Sequence, residues 1–337
     1  MTTPAPTSFD VVGIGNPLLD IVIQVPDDFL DQNGIVKGSS SLADSDRINQ
    51  IYDLSGPGVE MSGGSVANSI AALAALGQQT ALTGKIGSDA WGDILRHDLR
   101  AQGVKFETMS HPEMPTGCCL CLVSRDGDRT LITHLGACMA LGAEDLDPDT
   151  IRNSKYLLLE GYLFDQPAAK AAFLRAADIA HSAGSKVALS LSAEWCVQNH
   201  RNDFLALVRG HVDVVLGNET EICALYETED FEQAIRQVQE HCDIAALTRA
   251  EKGCVIVSHG KRHVVPAATI NPVVDTTGAG DLFAAGFLSG LVRGIELADC
   301  GRLGSLCAAE IIGHPGARPL TPLREWVAEH GGKALLG

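Results

Sequence analysis

The sequence predicts an α/β protein: a three-layer α/β/α core with a mainly parallel sheet, and a small β-sheet lid set into it. Two patterns carry the prediction. From about residue 150 onward, strand-like and helix-like segments alternate regularly, as in a parallel sheet crossed by helices. Before that, extended stretches at roughly 18–62 and 106–135 break the alternation, and these are the expected lid. A third observation bounds the whole. The chain has 337 residues, 45% of them hydrophobic, and shows no internal repeat, low-complexity tract or linker. That fits a single domain over residues 1–337 with a discontinuous lid.

The elements follow in chain order. "FDVVGIGN" reads as a buried strand ending in glycine, and "LLDIVIQV" as a second extended run. "SVANSIAALAALG" has Ala, Ile and Leu at helical spacing, with Gly77 to stop it. "TALTGKIG" is a short strand and "DAWGDILRHDLRAQG" an amphipathic helix. "TGCCLCLVSRDGDRTLITHLG" reads as a hairpin turning at "RDGD". Beyond it, "YLLLEGYL" is a strand, "PAAKAAFLRAADIAHSAG" a helix, and "KVALSLS" and "DVVLGN" are strands. "FEQAIRQVQEH" is a helix, and "IAALTRAEKG" and "CVIVSHG" read as strands. "NPVVDTTGAGDLFAAGFLSGL" and further helices complete the chain.

Composition excludes several function classes. A formal net charge of −17 argues against a large nucleic-acid surface, which needs basic stripes. Any anionic ligand must be held locally, by backbone N–H groups, a metal or a few arginines. "MTTPAPTSFD" has no basic region followed by an apolar core, so no signal peptide is expected. No apolar run reaches the roughly 18–20 residues of a membrane span. The ten cysteines form no pair of C-x-x-C motifs; Cys118, Cys119 and Cys121 fall in an expected strand. They read as small buried thiols of a reducing compartment, so the expectation is a cytoplasmic protein without nucleic-acid or membrane partners.

Four constellations carry chemistry. In "DTTGAGDLFAAG", Gly278, Ala279 and Gly280 stand where a loop turns into a helix. First-turn N–H groups lack internal partners and bind anions, and small residues let a ligand come close. The Lys-Ser/Thr pair of a Walker A loop is absent, and Asp281 stands in its place. A carboxylate beside an anion site has a reason to be there if it is a general base for an attacking hydroxyl. Equally, Asp281 reads as a helix-start acid and the glycines as a plain turn. In "MSGGSVANSIAALAALG", Gly63 and Gly64 permit close backbone approach before a helix, and the Asn68 amide suits a sugar hydroxyl. In "VVGIGNPLLDIVIQV", Gly13 and Gly15 are half of a dinucleotide fingerprint, but Leu18 takes the third glycine's place and a strand follows. What remains there is Asn16 and Asp20, either an exposed edge acid or a grip on two hydroxyls. In "VLGNETEICAL", Asn218 and Glu221 read as a helix start or as holders of Mg²⁺ and its waters.

Taken together, these segments resemble the ribokinase-like sugar kinases of the PfkB family. "GGSVANSIAALAALG" is similar to that family's N-terminal signature and "DTTGAGDLFAAGFL" to its C-terminal one, and the resemblance runs from about Val11 to about Pro319. Within the family, "GIGNPLLDI", "PTGCCLCLV", "GDRTLITHLGA" and "LSLSAEW" resemble the adenosine kinases. The resemblance implies the α/β/α core with its lid, and ATP-dependent phosphoryl transfer to the 5′-hydroxyl of a nucleoside, adenosine to AMP. It implies Asp281 as the base, and the amides of Gly278, Ala279 and Gly280 as the anion hole. Asp20, Gly63, Gly64 and Asn68 would hold the ribose, with Asn16 nearby. Asn218 and Glu221 would organise Mg²⁺, largely through water, and Arg129 would neutralise phosphate charge as the lid closes. Thr248 and Gly253, with Asn218, Gly278 and Gly280, would line the ATP side. Asp275 and Thr277 fall where many relatives bind a monovalent cation such as K⁺. Trp195 stands where adenosine kinases usually have phenylalanine, and Tyr162 and Phe164 are candidate stacking partners for the base. The expected ligands are a nucleoside or sugar and ATP, and the assembly is open between monomer and homodimer. The rival readings are a kinase of guanosine, inosine or a free sugar, and a non-catalytic nucleoside-binding regulator.

Overall fold

The computed structural model describes residues 9–26, 28–269 and 272–337. The first eight residues, part of the stretch read above for a leader, lie outside them, as does Asn271. The elements begin with strands β1 (Phe9–Ile14) and β2 (Leu18–Gln24), a one-turn helix α1 (Phe29–Gln32), β3 (Ser40–Leu42), α2 (Ser45–Leu54) and β4 (Gly58–Gly63). Then come α3 (Ser65–Ala75), β5 (Thr80–Thr83), α4 (Ala90–Ala101), β6 (Val104–Phe106), and the hairpin of β7 (Cys118–Val123) and β8 (Arg129–His134). Next are α5 (Pro148–Arg152), β9 (Ser154–Glu160), α6 (Pro167–Ala183), β10 (Lys186–Ser190), α7 (Glu194–His211) and β11 (Val214–Asn218). The chain ends with α8 (Glu219–Leu225), α9 (Phe231–Val238), β12 (Ile244–Thr248), β13 (Cys254–Ser258), β14 (Lys261–Val265), α10 (Ala279–Arg293), α11 (Leu297–Ile311) and α12 (Leu323–Val327).

The main sheet has nine strands in the order β14-β13-β12-β11-β10-β9-β1-β5-β6. From β6 to β12 all neighbours are parallel; β13 and β14 close one edge antiparallel. The central residues of the inner parallel strands, such as Val11 and Val12 of β1 and Leu157–Leu159 of β9, are apolar and buried, as cover on both faces demands. On one face α6, α7, α8 and α9 bury Phe173, Phe204, Ile222 and Ile235; on the other α3, α4, α10 and α11 bury Ile70, Leu95, Phe287 and Leu303. The chain lays down β5 and β6 on one side of β1, then returns to build β9 to β12 on the other. The β1–β9 junction is therefore the topological switch point, where open α/β sheets bind ligands.

The second sheet has the order β3-β8-β7-β2-β4. Alternation in β2 buries Leu19, Ile21 and Ile23 under α2, whose Ile48 and Ile51 fill the same small core. Asp20 lies on the opposite face, half-buried.

Four sequence expectations need revision. The second extended stretch begins too early: Phe106 belongs to β6, at the edge of the main sheet, and the small sheet resumes only at Cys118. The helix α2 inside the first stretch was not expected. "TRAEKG" is not strand beyond Thr248; it is a turn between antiparallel β12 and β13, with Ala250 at φ 48° and Gly253 at φ 84°. The long helix α7 falls where the sequence reading placed no element; it bends at His200, and the polar run Gln198–Asp203 interrupts its apolar stripe. All ten cysteines are free thiols, eight of them buried. Among the described residues no helix is long and apolar enough to cross a membrane.

Candidate active site

Parallel strands bring their carboxyl ends to one edge of the main sheet. Asn16 follows β1, Glu160 ends β9, Trp195 follows β10, and Asn218 and Thr248 end β11 and β12 in register with each other. Asp20 of β2 and Arg129 of β8 come to the same region from the small sheet, since both act electrostatically with residues of this edge.

The "DTTGAGD" segment is built as a turn into a helix. The Asp275 carboxylate accepts from the Thr277 N–H at 3.0 Å and the Thr277 hydroxyl at 2.8 Å. Gly278 takes φ 78°, a left-handed conformation that glycine adopts without strain, and α10 starts at Ala279. Asp281 therefore sits in the first turn. Its carboxylate accepts from the Ser65 hydroxyl at 2.6 Å and the Asn68 amide at 2.9 Å, both on α3. Ser69 donates to the Asp281 carbonyl at 3.0 Å, so the two helix starts are tied side by side. Burial pushes the Asp281 carboxyl up to about 6, against the lowering effect of those two hydrogen bonds and of Arg318. The Asn68 side-chain oxygen is buried and has no partner in the protein.

The glycine pair before α3 serves this geometry directly. A Cβ on Gly63 would lie 2.1 Å from the Asp20 carboxylate, and one on Gly64 would lie 1.9 Å from the Asn16 carbonyl, at φ 99°. The close approach read from the sequence is thus made first to the protein's own Asp20 and Asn16. Burial raises Asp20 to about 7, while Arg318 and Arg129 lower it and Asp281 raises it further. Glu160, almost fully buried, accepts from the Val66 N–H at 2.8 Å and from Asn16, and burial raises it to about 8. A Cβ on Gly15 would meet the Glu160 carboxylate at 2.5 Å, and one on Gly13 would meet Ile70 at 2.6 Å. Those two glycines serve packing of β1 against α3 and β9, consistent with the failed dinucleotide fingerprint.

Asn218 and Glu221 form a reciprocal capping box. The Asn218 side chain accepts from the Glu221 N–H at 2.9 Å; the Glu221 carboxylate accepts from the Asn218 N–H at 3.0 Å and its amide at 2.7 Å. Burial raises Glu221 to about 7, and Asp281 adds to the rise. Gly253 is required by packing, since its Cβ would lie 2.0 Å from the Val265 carbonyl. Trp195 is 46% exposed and stands 5.9 Å from the Tyr162 ring, so it is not a core residue. Ser192, just before it, holds φ 70°, a conformation costly for a non-glycine residue. Phe164 is a correction: it is buried, stacked on Phe204 at 3.9 Å, and belongs to the core. Arg129, expected in the hairpin turn, opens β8 and pairs with Asp275 at 2.9 Å.

Three residues of the site went unread in the sequence. Ser65 is one of many serines. Glu160 ends an apolar run, the same cue that drew notice to Asp20, and could have been found by it. Arg318, in "GARP", carries no local cue, yet it is half-buried and bonded to Ser62 and Ala67: its Nε donates to the Ser62 carbonyl at 2.9 Å, Nη2 to the Ser62 hydroxyl at 2.9 Å, and Nη1 to the Ala67 carbonyl at 3.2 Å. Burial lowers its pKa to about 10, opposed by Asp98, Asp20 and Asp281.

Comparison with known proteins bears on the family and the fold. The pfkB family carbohydrate kinase description matches residues 56–324. The crystal structure of an adenosine kinase from Sinorhizobium meliloti is 45% identical, with a TM-score of 0.89 and coverage of 96% of this chain and 99% of that one. A structure from Rhizobium etli, described as a "probable sugar kinase", is 44% identical, with a TM-score of 0.90 and the same coverage, 96% and 99%. Adenosine kinase 1 of Arabidopsis thaliana is 29% identical, covering 93% of this chain and 97% of its own length.

Proposed function

The chain belongs to the pfkB family of carbohydrate kinases, and from that premise we propose that it transfers the terminal phosphoryl group of ATP to the 5′-hydroxyl of a nucleoside, adenosine above others, giving AMP and ADP. The observation that carries the reading is the pairing of Asp281 with α3. A carboxylate in the first turn of an anion-binding helix is held by Ser65 and Asn68, and the unsatisfied Asn68 oxygen lies on the same side chain. An acceptor hydroxyl is the natural partner for that oxygen. The substrate names of the Sinorhizobium and Arabidopsis relatives favour a nucleoside acceptor.

In this mechanism Asp281 takes the proton of the 5′-hydroxyl as its oxygen attacks the terminal phosphorus, and ADP departs with the pair of electrons from the broken P–O bond. The amides of Gly278, Ala279 and Gly280 face the charge that develops on the transferred group. Asp20 and Asn68 fix the ribose, with Asn16 and Gly64 shaping that end of the cleft. Trp195 and Tyr162 offer the base an aromatic wall. Asn218, Thr248 and the turn ending at Gly253 line the ATP side, and Arg129 supplies positive charge. The small sheet acts as a lid that excludes water, which would otherwise accept the phosphoryl group.

ATP kinases use a divalent cation, and the donor set fits one. Among the described residues no three His, Cys, Asp or Glu side chains cluster tightly enough to enclose a metal. Mg²⁺ needs no such cage; it is usually held by one or two protein groups, waters and phosphates. Asn218 and Glu221 would hold it through water. When bound, Mg²⁺ supplies charge neutralisation of the phosphates.

An ADP-release assay over adenosine, 2′-deoxyadenosine, guanosine, inosine, ribose and a hexose tests the reading. Adenosine is expected to have the highest kcat/KM, and 2′-deoxyadenosine to be strongly disfavoured, because a site built for a hydroxyl rejects analogues without it. A better sugar would overturn the nucleoside assignment, and no turnover of any acceptor would overturn the catalytic one.

A further inference from the structure

Asp275 is a nearly buried acid whose acceptor capacity is used up. One oxygen accepts from the Thr277 N–H at 3.0 Å and the Thr277 hydroxyl at 2.8 Å. The other accepts from the Gly316 N–H at 3.0 Å and lies 2.9 Å from Nη1 of Arg129. A carboxylate offers about four lone-pair directions, and all four are taken. The side chains of Asp275 and Arg129 are only 8% and 12% exposed. The monovalent cation that the family resemblance attaches to Asp275 and Thr277 therefore does not fit: the acid already faces a cation, and the Thr277 hydroxyl spends its proton on the acid.

We propose that the Arg129 guanidinium is this chain's own cation at Asp275, and that catalysis proceeds without a monovalent metal ion there. The two cations exclude each other. An ion against Asp275 would sit beside a buried guanidinium, and driving Arg129 away would strand a desolvated charge, which is strongly unfavourable. The arrangement also joins two parts of the fold. Arg129 opens β8 of the small sheet, whereas Asp275 and Gly316 belong to the loops that shape the start of α10. Charge balance at the phosphate loop is thus delivered by the small sheet rather than drawn from solution. Nη2 of Arg129 is buried and has no partner. The guanidinium fork therefore keeps a donor for a phosphate oxygen while Nη1 stays on Asp275.

The activity arm of the test rests on the kinase reading; a second arm does not. The full chain is assayed in KCl, NaCl and choline chloride at equal ionic strength, by kcat/KM and, without substrates, by melting temperature. The wild type is expected to give kcat/KM values within about two-fold of each other in the three salts, a difference too small to mark a lost transition-state contact, with unchanged melting. Arg129→Ala is expected to melt higher in KCl than in choline chloride and to regain activity in KCl. Arg129→Lys, which keeps the charge, should stay indifferent. A wild type activated or stabilised by KCl over choline chloride overturns the proposal, and so does an Arg129→Ala variant as indifferent to KCl as wild type. If no acceptor is phosphorylated, the kinase reading fails while the melting arm still decides this one.

Discussion

Asp281 carries two duties in one side chain: it joins α3 to α10, and it is the base of the proposed reaction. Asparagine keeps the shape and the acceptor for Ser65 but cannot take a proton. Asp281→Asn is therefore expected to bind ATP normally and lose about 10²–10⁴-fold in kcat, the range for a missing general base. ATP affinity and single-turnover rates measured side by side check this, and turnover near wild type would reduce Asp281 to a cap. Because burial raises the carboxyl to about 6, kcat/KM should fall as pH drops through that value, where the base becomes protonated. Arg318 is one of the groups holding the value down. Arg318→Met should move the acidic limb to higher pH, and a limb that stays in place would confine Arg318 to packing. These two residues also mark what a sequence discloses at this scale. Asp281 stood out in the sequence because a carboxylate in the first turn of a glycine-rich helix start invites a reason for its charge, and the structure places it against Ser65 and Asn68 of α3; its role as base belongs to the proposed reaction. Arg318 was not, because its meaning comes from Ser62, Ala67, Asp20 and Asp281, and none of these is its neighbour in the chain.

At the scale of elements, two glycine motifs that look alike behave differently. Gly64 is fixed by its own protein: its φ is 99°, and an added Cβ would lie 1.9 Å from the Asn16 carbonyl. Gly280 lies inside α10 with nothing within 4 Å of its missing Cβ. Open space beside a helix glycine is room for a ligand. Gly64→Ala is thus expected to destabilise the free protein by about 1–3 kcal/mol, the cost of a strained backbone conformation, and to displace Ser65 and Asn68. Gly280→Ala should leave the free protein as stable or slightly more so, since alanine is the better helix former, yet raise KM for ATP. Denaturant unfolding together with ATP titration of both variants separates the cases; a Gly280→Ala variant with unchanged KM would remove the ligand from that position. Elements with strong local grammar were legible, such as the "RDGD" hairpin and the helix stopped by Gly77. The strand β6 and helix α2 were not, because a three-residue edge strand and a polar surface helix owe their form to the sheets they pack on.

Over the whole molecule, the two-sheet architecture gathers acid where the sequence shows none gathered. Asp20, Glu160, Glu221 and Asp281 come from β2, β9, α8 and α10, and burial is the largest cause of the upward shift in each. The alternating pattern announced the sheet, and the sheet edge is what assembles the cluster, so the fold was legible and the cluster was not. Its consequence for stability has a definite sign. Ordinary values of 3.8 for aspartate and 4.5 for glutamate become about 6 to 8 in the folded state. The folded protein therefore holds protons that the unfolded chain has already released. That contribution is complete below the ordinary carboxylate range and is lost as pH rises through the folded values. Asp98 and Asp213 are shifted downward, so what they contribute is already complete above the ordinary range and adds no slope in the window. His241, lowered by burial, opposes the trend only at its acidic end. The melting temperature of the ligand-free protein is thus expected to fall steadily between about pH 5 and pH 8. Because the four acids act on one another, the fall should be broad rather than stepped. Replacing Asp20 by Asn and Glu160 by Gln together should flatten it. Melting curves across that range decide the matter, and a midpoint that holds level or rises toward pH 8 would mean the cleft is open enough to water for its acids to ionise at ordinary values.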